Sequence, residues 1–276
     1  MQNIKIVAMD LDGTLLDSQK QLSIRNYNAL EQAAKQGIEI VPSTGRYYSA
    51  MPEIIKSLPF IHYAITINGA QVYDVTNDKV ISATNIPLNR AVEIMKILDD
   101  YPVAYNCYMD NQAWLGMNFR DTLSDYLSES GQYNFVLKIS RSVPELKSFL
   151  LNKGENVQKI ITYLKDQELR KILFQKFSEE AYSDLAISAA SRQNMEFNHK
   201  DANKGNALIH LAEYLDIDIQ NTIAFGDGLN DISMLRAAGI GVAMSNSEEK
   251  VIEIADIIAE SNDDDGVAKV LENFLF

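Results

Sequence analysis

Near the start of the chain an apolar run, "IKIVAM", breaks into Asp10-Leu11-Asp12-Gly13-Thr14. Two carboxylates thus stand at i and i+2 at the end of what reads as a buried strand, where an extended backbone would turn both to the same side and make them repel. Further along come Thr44-Gly45-Arg46, Asn68-Gly69, Asn203-Lys204 and Asp227-Gly228, each closing an apolar run or opening a helical one. Any one of these is ordinary turn chemistry. Together they assemble Asp10, Asp12, Asp227, Lys204 and several glycine-bearing turns with backbone N–H groups, a cradle for Mg²⁺ and phosphate. Mg²⁺ prefers hard oxygen ligands, commonly one or two carboxylates with water and phosphate oxygen, and its charge makes clustered aspartates tolerable. Lys204 and the Thr44 hydroxyl would serve the remaining phosphoryl oxygens.

The elements that must position these groups follow a consistent grammar. Strand-like runs at 4–10, 38–45 and 63–69 are separated by a helical pattern that starts at Ser23, a good N-cap, with Ile24, Tyr27, Leu30 and Ala34 on one face and Gly37 at its end. The pattern returns at 204–276: a helix over 204–215, strands at 222–228 and 240–246, a candidate edge strand at 255–261, and a last helix with Val267, Val270, Leu271 and Phe274 aligned. Apolar strands alternating with helices predict a parallel sheet covered on both faces, whose ligands gather at the carboxyl ends of the strands. Between them the texture changes. "VAYNCYM" and "AWLGMN" read as a hairpin around "DNQ", a long helix spans about Asp166 to Tyr182, and "LAISAA" with "NMEFNHK" forms a second hairpin-like pair. The expected fold is α/β, a doubly wound Rossmann-like core over 1–83 and 191–276 with an inserted α+β cap over 84–190.

Composition narrows the function. The 276 residues carry a net charge of −13, which argues against non-specific nucleic-acid binding. The single Cys107 forms no intrachain disulfide, and the three histidines show no zinc-site spacing. No apolar run is long enough for a membrane span or a signal-peptide core. The expectation is a cytoplasmic protein, a monomer or weak homodimer, with no nucleic-acid or membrane partner. An EF-hand loop counted from Asp10 fails at Leu15 and Gln21, where Gly and Glu are required. "GDGLND" places Asp231 where a dinucleotide fingerprint needs its third glycine.

"DLDGT", "STGR", the lysine of "NKGNAL" and "GDGLND" resemble, in order, the four motifs of the haloacid dehalogenase-like phosphohydrolases. The insert between the second and third motifs, with "NGAQVYD", "GIGVAMSNS" and "SNDDDGVA", resembles the Cof-type sugar-phosphatase branch with its type IIB α/β cap. Tyr47 stands where that branch usually has proline, and Ser245, Ser247 and Val251-Ile252 also depart from it. The resemblance implies Asp10 as the nucleophile that forms an aspartyl-phosphate and Asp12 as the acid and base. It implies Mg²⁺ held by Asp10, Asp227 and the backbone carbonyl at Asp12, and phosphate contacts from the Leu11 backbone, Thr44, Gly45, Lys204 and Asn230. Asp231 would orient Lys204 or a metal-bound water. Arg46 and Asn68 would contact substrate or support the site, and Arg46 reads equally well as a structural ion pair. The implied activity is hydrolysis of phosphomonoesters of small metabolites such as sugar phosphates. A phosphomutase on the same scaffold and a non-catalytic phosphometabolite-binding regulator are the alternatives. Tyr105, Tyr108 and Trp114 are expected to pack the cap sheet, His62 and His210 to be ordinary surface or packing residues, and "DDD" at 263–265 to favour a helix N-terminus.

Overall fold

The computed structural model describes residues 3–127, 130–189 and 191–275. The chain divides into two compact units, Met1–Ala83 with Asn203–Phe276, and Thr84–Ala202. In the first, β1 (Ile6–Met9) and β2 (Glu39–Pro42) lie parallel, and β3 (Tyr63–Thr66), β4 (Gln71–Asp74) and β5 (Lys79–Ala83) form an antiparallel meander. The insert contributes β6 (Ala104–Met109), β7 (Gln112–Gly116), β8 (Ser140–Val143), β9 (Lys159–Tyr163), β10 (Leu185–Ser188) and β11 (Asn194–His199). The chain then returns with β12 (Thr222–Gly226), β13 (Ile240–Met244) and β14 (Ile257–Ala259).

The central sheet runs β14-β13-β12-β1-β2, all parallel, with strand order reversing beside β1. Alternate residues of β1 feed different cores. Val7 and Met9 join Leu30, Phe225 and Leu271 on one face, and Ile6 and Ala8 join Leu208, Leu211 and Ala224 on the other. That two-sided burial is why these strands read as unbroken apolar runs. The third expected strand differs: β3 meets the chain just past β2 through a parallel bridge between Ser43 and Ile65 and a bond from the Thr44 N–H to the Ile65 carbonyl at 2.9 Å, and its main partner is β4.

The helix expected from Ser23 spans Ile24–Lys35, and the Ser23 hydroxyl accepts the Asn26 N–H at 3.0 Å. Its buried face is Asn26, Ala29, Leu30 and Ala33, whereas Ile24 is 75% exposed. Ile24 is the first helical residue and lies outside the stripe that faces the sheet. Helix Lys204–Tyr214 starts at Asn203, whose side chain accepts the Asn206 N–H at 2.9 Å.

The insert is a six-stranded sheet, β10-β11-β9-β6-β7-β8, antiparallel except for β7 with β8. Helices Leu88–Leu98, Leu146–Lys153 and Gln167–Phe177 bury one face of it through Leu98, Leu150, Leu173 and Phe177, against Tyr105, Cys107, Ile160 and Phe197. The long helix expected to reach Tyr182 stops at Phe177, and a separate 3₁₀ turn spans Glu180–Tyr182. Asp166 caps its start, and near its end the Ser178 hydroxyl donates to the Phe174 carbonyl at 2.6 Å. The second crossing lies after Ala202, later than the expected 190/191 boundary, because β11 pairs with both β9 and β10. Tyr105 packs on Phe119 and Trp114 on Phe149, with ring centroids 4.4 and 4.5 Å apart. Among the described residues no helix is long and apolar enough to cross a membrane.

Candidate functional site

The centre of the site is a lysine with no exposed surface. Lys204 stands in the first turn of its helix, and Nζ donates to Asp10 Oδ1 at 2.5 Å, to Asp231 Oδ1 at 2.6 Å and to the Ser43 carbonyl at 2.9 Å. Three acceptors use all three ammonium hydrogens. The second oxygen of Asp231 accepts the backbone N–H groups of Asp227 and Gly228, at 3.0 and 2.9 Å. Asp231 therefore ties the lysine to the loop after β12. Asp227 in turn accepts the Thr14 hydroxyl at 2.7 Å, which joins that loop to the one after β1.

Asp10 and Asp12 do not share a face. β1 ends at Met9, and the chain then coils, with Leu15 N–H donating to the Asp10 carbonyl at 3.3 Å and Leu16 N–H to the Leu11 carbonyl at 2.9 Å. The expected i, i+2 repulsion is thus relieved by the backbone itself. Asp10 turns to Lys204, while Asp12 turns to Arg46, whose Nη2 lies 2.9 and 3.2 Å from its oxygens, and to Lys20 Nζ at 3.0 Å. Arg46 thus forms the ion pair that was one of its two readings.

The charges on the two carboxylates are pushed apart. Burial, reinforced by Asp231 and Asp227, raises the Asp10 pKa to about 7 against the pull of Lys204. Burial also raises that of Asp227, with the Thr14 hydroxyl opposing it. For Asp12 burial works in the same direction, but Arg46 and Lys20 outweigh it and hold the carboxyl below its usual range. Burial disfavours the charged form of Lys204, yet Asp10 and Asp231 keep it firmly protonated.

A third group gathers where β2 and β3 end. Thr44 is 2% exposed, and its hydroxyl accepts the Arg46 N–H at 3.3 Å. Asn230 Nδ2 donates to Asn68 Oδ1 at 3.3 Å, and a side chain at Gly45 would press on that same Asn68 amide. Ile67 and Asn68 both have positive φ, 56° and 58°, a strained conformation for a β-branched residue. Bonds from Ile67 N–H to the Arg46 carbonyl and from Asn68 N–H to the Thr44 carbonyl, 2.9 and 3.0 Å, hold it there. Gly69 follows at φ 91°, and a Cβ on it would run into the backbone of Asn203 and Lys204. Gly69→Ala is therefore expected to cost about 2–4 kcal/mol, from the left-handed backbone and the clash together. A urea midpoint equal to that of the wild type would contradict this.

Carboxylate oxygens of Asp10, Asp227 and Asp231 lie within 4.8 Å of one another. Both oxygens of Asp231 are already committed, so Asp10 and Asp227 are the pair suited to a hard divalent cation. Burial raises the pKa of both, and their hard carboxylate oxygens are a donor set that fits Mg²⁺. The Asp12 carboxylate faces Arg46 and Lys20 and is not one of the three acids of that cluster.

Asp10, Thr44, Lys204, Asp227 and Asp231, all expected from their motifs, lie around this centre, and Asp231 holds Lys204 as expected, but Thr14, the Ser43 carbonyl and Lys20 were not among the expected residues. Thr14 lies inside the "DLDGT" run, where its hydroxyl was a readable signal. The Ser43 carbonyl and Lys20 had none, since a backbone oxygen and a surface-type lysine look alike everywhere. The "DDD" segment stands directly before the helix Gly266–Leu275, as expected, and its side chains make further bonds. Asp263 accepts the Ser18 N–H and hydroxyl at 2.8 and 2.6 Å, and Asp264 accepts the Ser261 hydroxyl at 2.6 Å.

Residues 7–271 match the family model for haloacid dehalogenase-like hydrolases. A phosphatase of Bacillus subtilis is 33% identical, over 99% of this chain and 100% of that protein. A second protein of that organism, a 5-amino-6-(5-phospho-D-ribitylamino)uracil phosphatase, is 28% identical over 99% and 96%. The structure of a haloacid dehalogenase-like hydrolase from B. subtilis superposes with a TM-score of 0.83 at 30% identity, covering 99% of this chain and 100% of that one.

Proposed function

The chain belongs to the haloacid dehalogenase-like hydrolases, in the Cof-type branch, as a phosphatase, and from that premise we propose that it hydrolyses phosphomonoesters of small metabolites with Mg²⁺ through an aspartyl-phosphate on Asp10. The observation that carries this reading is the buried Lys204 bridging Asp10 and Asp231 beside Asp227, a cationic anchor for a phosphoryl group next to a nucleophile.

An Asp10 oxygen attacks phosphorus, the bond to the leaving oxygen breaks, and Asp12 gives that oxygen a proton. In the second half, water attacks the aspartyl-phosphate, Asp12 takes its proton, and the bond from phosphorus to Asp10 breaks to release inorganic phosphate. Lys204, the Thr44 hydroxyl, the Leu11 and Gly45 backbone and Asn230 hold the phosphoryl oxygens. Arg46 and Lys20 keep Asp12 ionised, the form that the second half needs. As an acid it must first gain a proton against their pull. Asp10, Asp227 and the Asp12 carbonyl would hold Mg²⁺, which when bound supplies the charge that keeps Asp10 ionised and offsets that of the phosphate.

Phosphate release from p-nitrophenyl phosphate is expected to vanish in EDTA and return with Mg²⁺. Binding should also show without turnover: at about 100 times its Kd, Mg²⁺ stabilises the fold by ~2.7 kcal/mol. A melting temperature that rises with Mg²⁺ in the wild type but not in Asp227→Asn supports the assignment. Activity undiminished in EDTA would overturn it.

A further inference from the structure

The loop that carries Asp12 is held by three asparagines outside the residues assigned so far. Asn246 Nδ2 donates to the Gly13 carbonyl at 2.8 Å, Asn26 Nδ2 to the Leu15 carbonyl at 3.2 Å, and Asn262 Nδ2 to the Leu16 carbonyl at 2.9 Å. They come from three separate places: the helix Ile24–Lys35, the turn after β13, and the turn before the helix Gly266–Leu275. Each is anchored in turn. Asn26 Oδ1 accepts the Ala268 N–H at 2.9 Å, and Asn246 Oδ1 accepts the Asn262 N–H at 3.1 Å. The residue after Asn262 is Asp263, which grips Ser18 at the far end of the same loop.

Carbonyls in an irregular buried turn need donors, and beyond one isolated bridge between Asp12 and Leu16 no regular strand or helix of the described residues spans this turn. An amide side chain suits that need, since one end donates to the loop while the other accepts from a neighbouring backbone. Asn26 and Asn262 are 1% and 8% exposed, so losing either bond would strand a buried carbonyl. Gly13 is the residue directly after Asp12, and the same loop runs on to Lys20, whose ammonium meets Asp12 Oδ1.

We propose that Asn26, Asn246 and Asn262 are positioning residues for Asp12, locking the segment from Gly13 to Leu16 so that its carboxylate stands where it takes the proton of the attacking water. The proposal rests on the aspartyl-phosphate reading above. It predicts damage that falls more heavily on one half of the cycle. The Lys204–Asp10 contact lies at the end of β1 and the start of the helix Lys204–Tyr214 and does not pass through the three amides, while the held segment touches the rest of the site through the Leu15 N–H bond to the Asp10 carbonyl and the Thr14 hydroxyl bond to Asp227. Formation of the phosphoenzyme from a substrate with a good leaving group needs no acid, whereas its hydrolysis needs a placed base.

The test is rapid-quench measurement with ³²P-labelled p-nitrophenyl phosphate and Mg²⁺ on Asn246→Ala and Asn262→Ala. Asn246 is exposed, so Asn246→Ala decides the matter if Asn262→Ala fails to fold. Acid-trapped phosphoenzyme should decay about tenfold more slowly than in the wild type, a part of the roughly 10²–10⁴ that a positioned base contributes. Its formation should slow by no more than about twofold, because that step needs no base and the Lys204–Asp10 contact lies outside the held segment. Equal slowing of both steps, as general loosening would cause, or no slowing of decay, overturns the proposal. Absence of any trapped phosphoenzyme in the wild type would instead overturn the aspartyl-phosphate reading.

Discussion

Asp10→Asn is expected to lower phosphate release by about 10⁴-fold or more, the scale seen when a covalent nucleophile is removed. The amide is nearly isosteric and can still accept from Lys204 Nζ, which now lies 2.5 Å from the carboxylate, so substrate binding should survive while no phosphoenzyme forms. Acid quench with labelled substrate checks both. A variant that hydrolysed substrate at near the wild-type rate would exclude the covalent route. A stability signature should accompany the loss. Because burial holds the folded-state pKa of Asp10 above its ordinary value, the folded protein binds the extra proton. In EDTA, the contribution of this group is therefore complete below pH 3.8 and declines as pH rises toward about 7. Asp10→Asn should flatten that part of the urea-stability profile, and a wild-type slope in the variant would mean that other groups produce it.

Lys204→Met should damage folding and chemistry together. The side chain is fully buried, and its removal leaves Asp10 and Asp231 facing each other with no cation between them. Breaking a buried pair by deleting one partner costs about 3–5 kcal/mol, most of it the uncompensated charge left behind. Methionine fills the space, so the loss would reflect charge more than cavity. Loss of a charged donor to the phosphoryl oxygens should lower kcat by about 10²–10³-fold. Urea unfolding in EDTA and phosphate release in saturating Mg²⁺ separate the two effects. A variant with wild-type activity would remove Lys204 from phosphate binding. An unchanged urea midpoint would mean that the carboxylates take up protons and stay uncharged.

How much of this is legible in the sequence follows from where the information lies along the chain. β1, β2, β12 and β13 are readable because burial on both faces writes them as local apolar runs. Asp10, Thr44, Lys204 and Asp227 are readable because each follows such a run or opens a helix, in an order that turn chemistry alone does not produce. The second crossing falls later than the local pattern suggests because β11 belongs with β9 and β10 through hydrogen bonds between distant segments, which no local pattern records. Ile24 falls on the exposed side of its helix because periodicity gives the angle between residues and leaves open which arc meets the sheet.

The sequence by itself determined the chemistry on offer: which acids, which lysine and which turns stand at the strand ends, and hence the phosphate and cation site we propose. Only the tertiary structure decided how those groups are divided. It sent Asp10 to Lys204 and Asp12 to Arg46 and Lys20, although the two aspartates are nearly adjacent in the chain. It also brought Asn26, Asn246 and Asn262 to one loop from both ends of the chain. The reason is the same in each case. The type of a side chain is local, but the partner that sets its charge or fixes its position is brought by the fold from elsewhere, and an asparagine or a lysine looks alike in sequence whether or not that partner arrives.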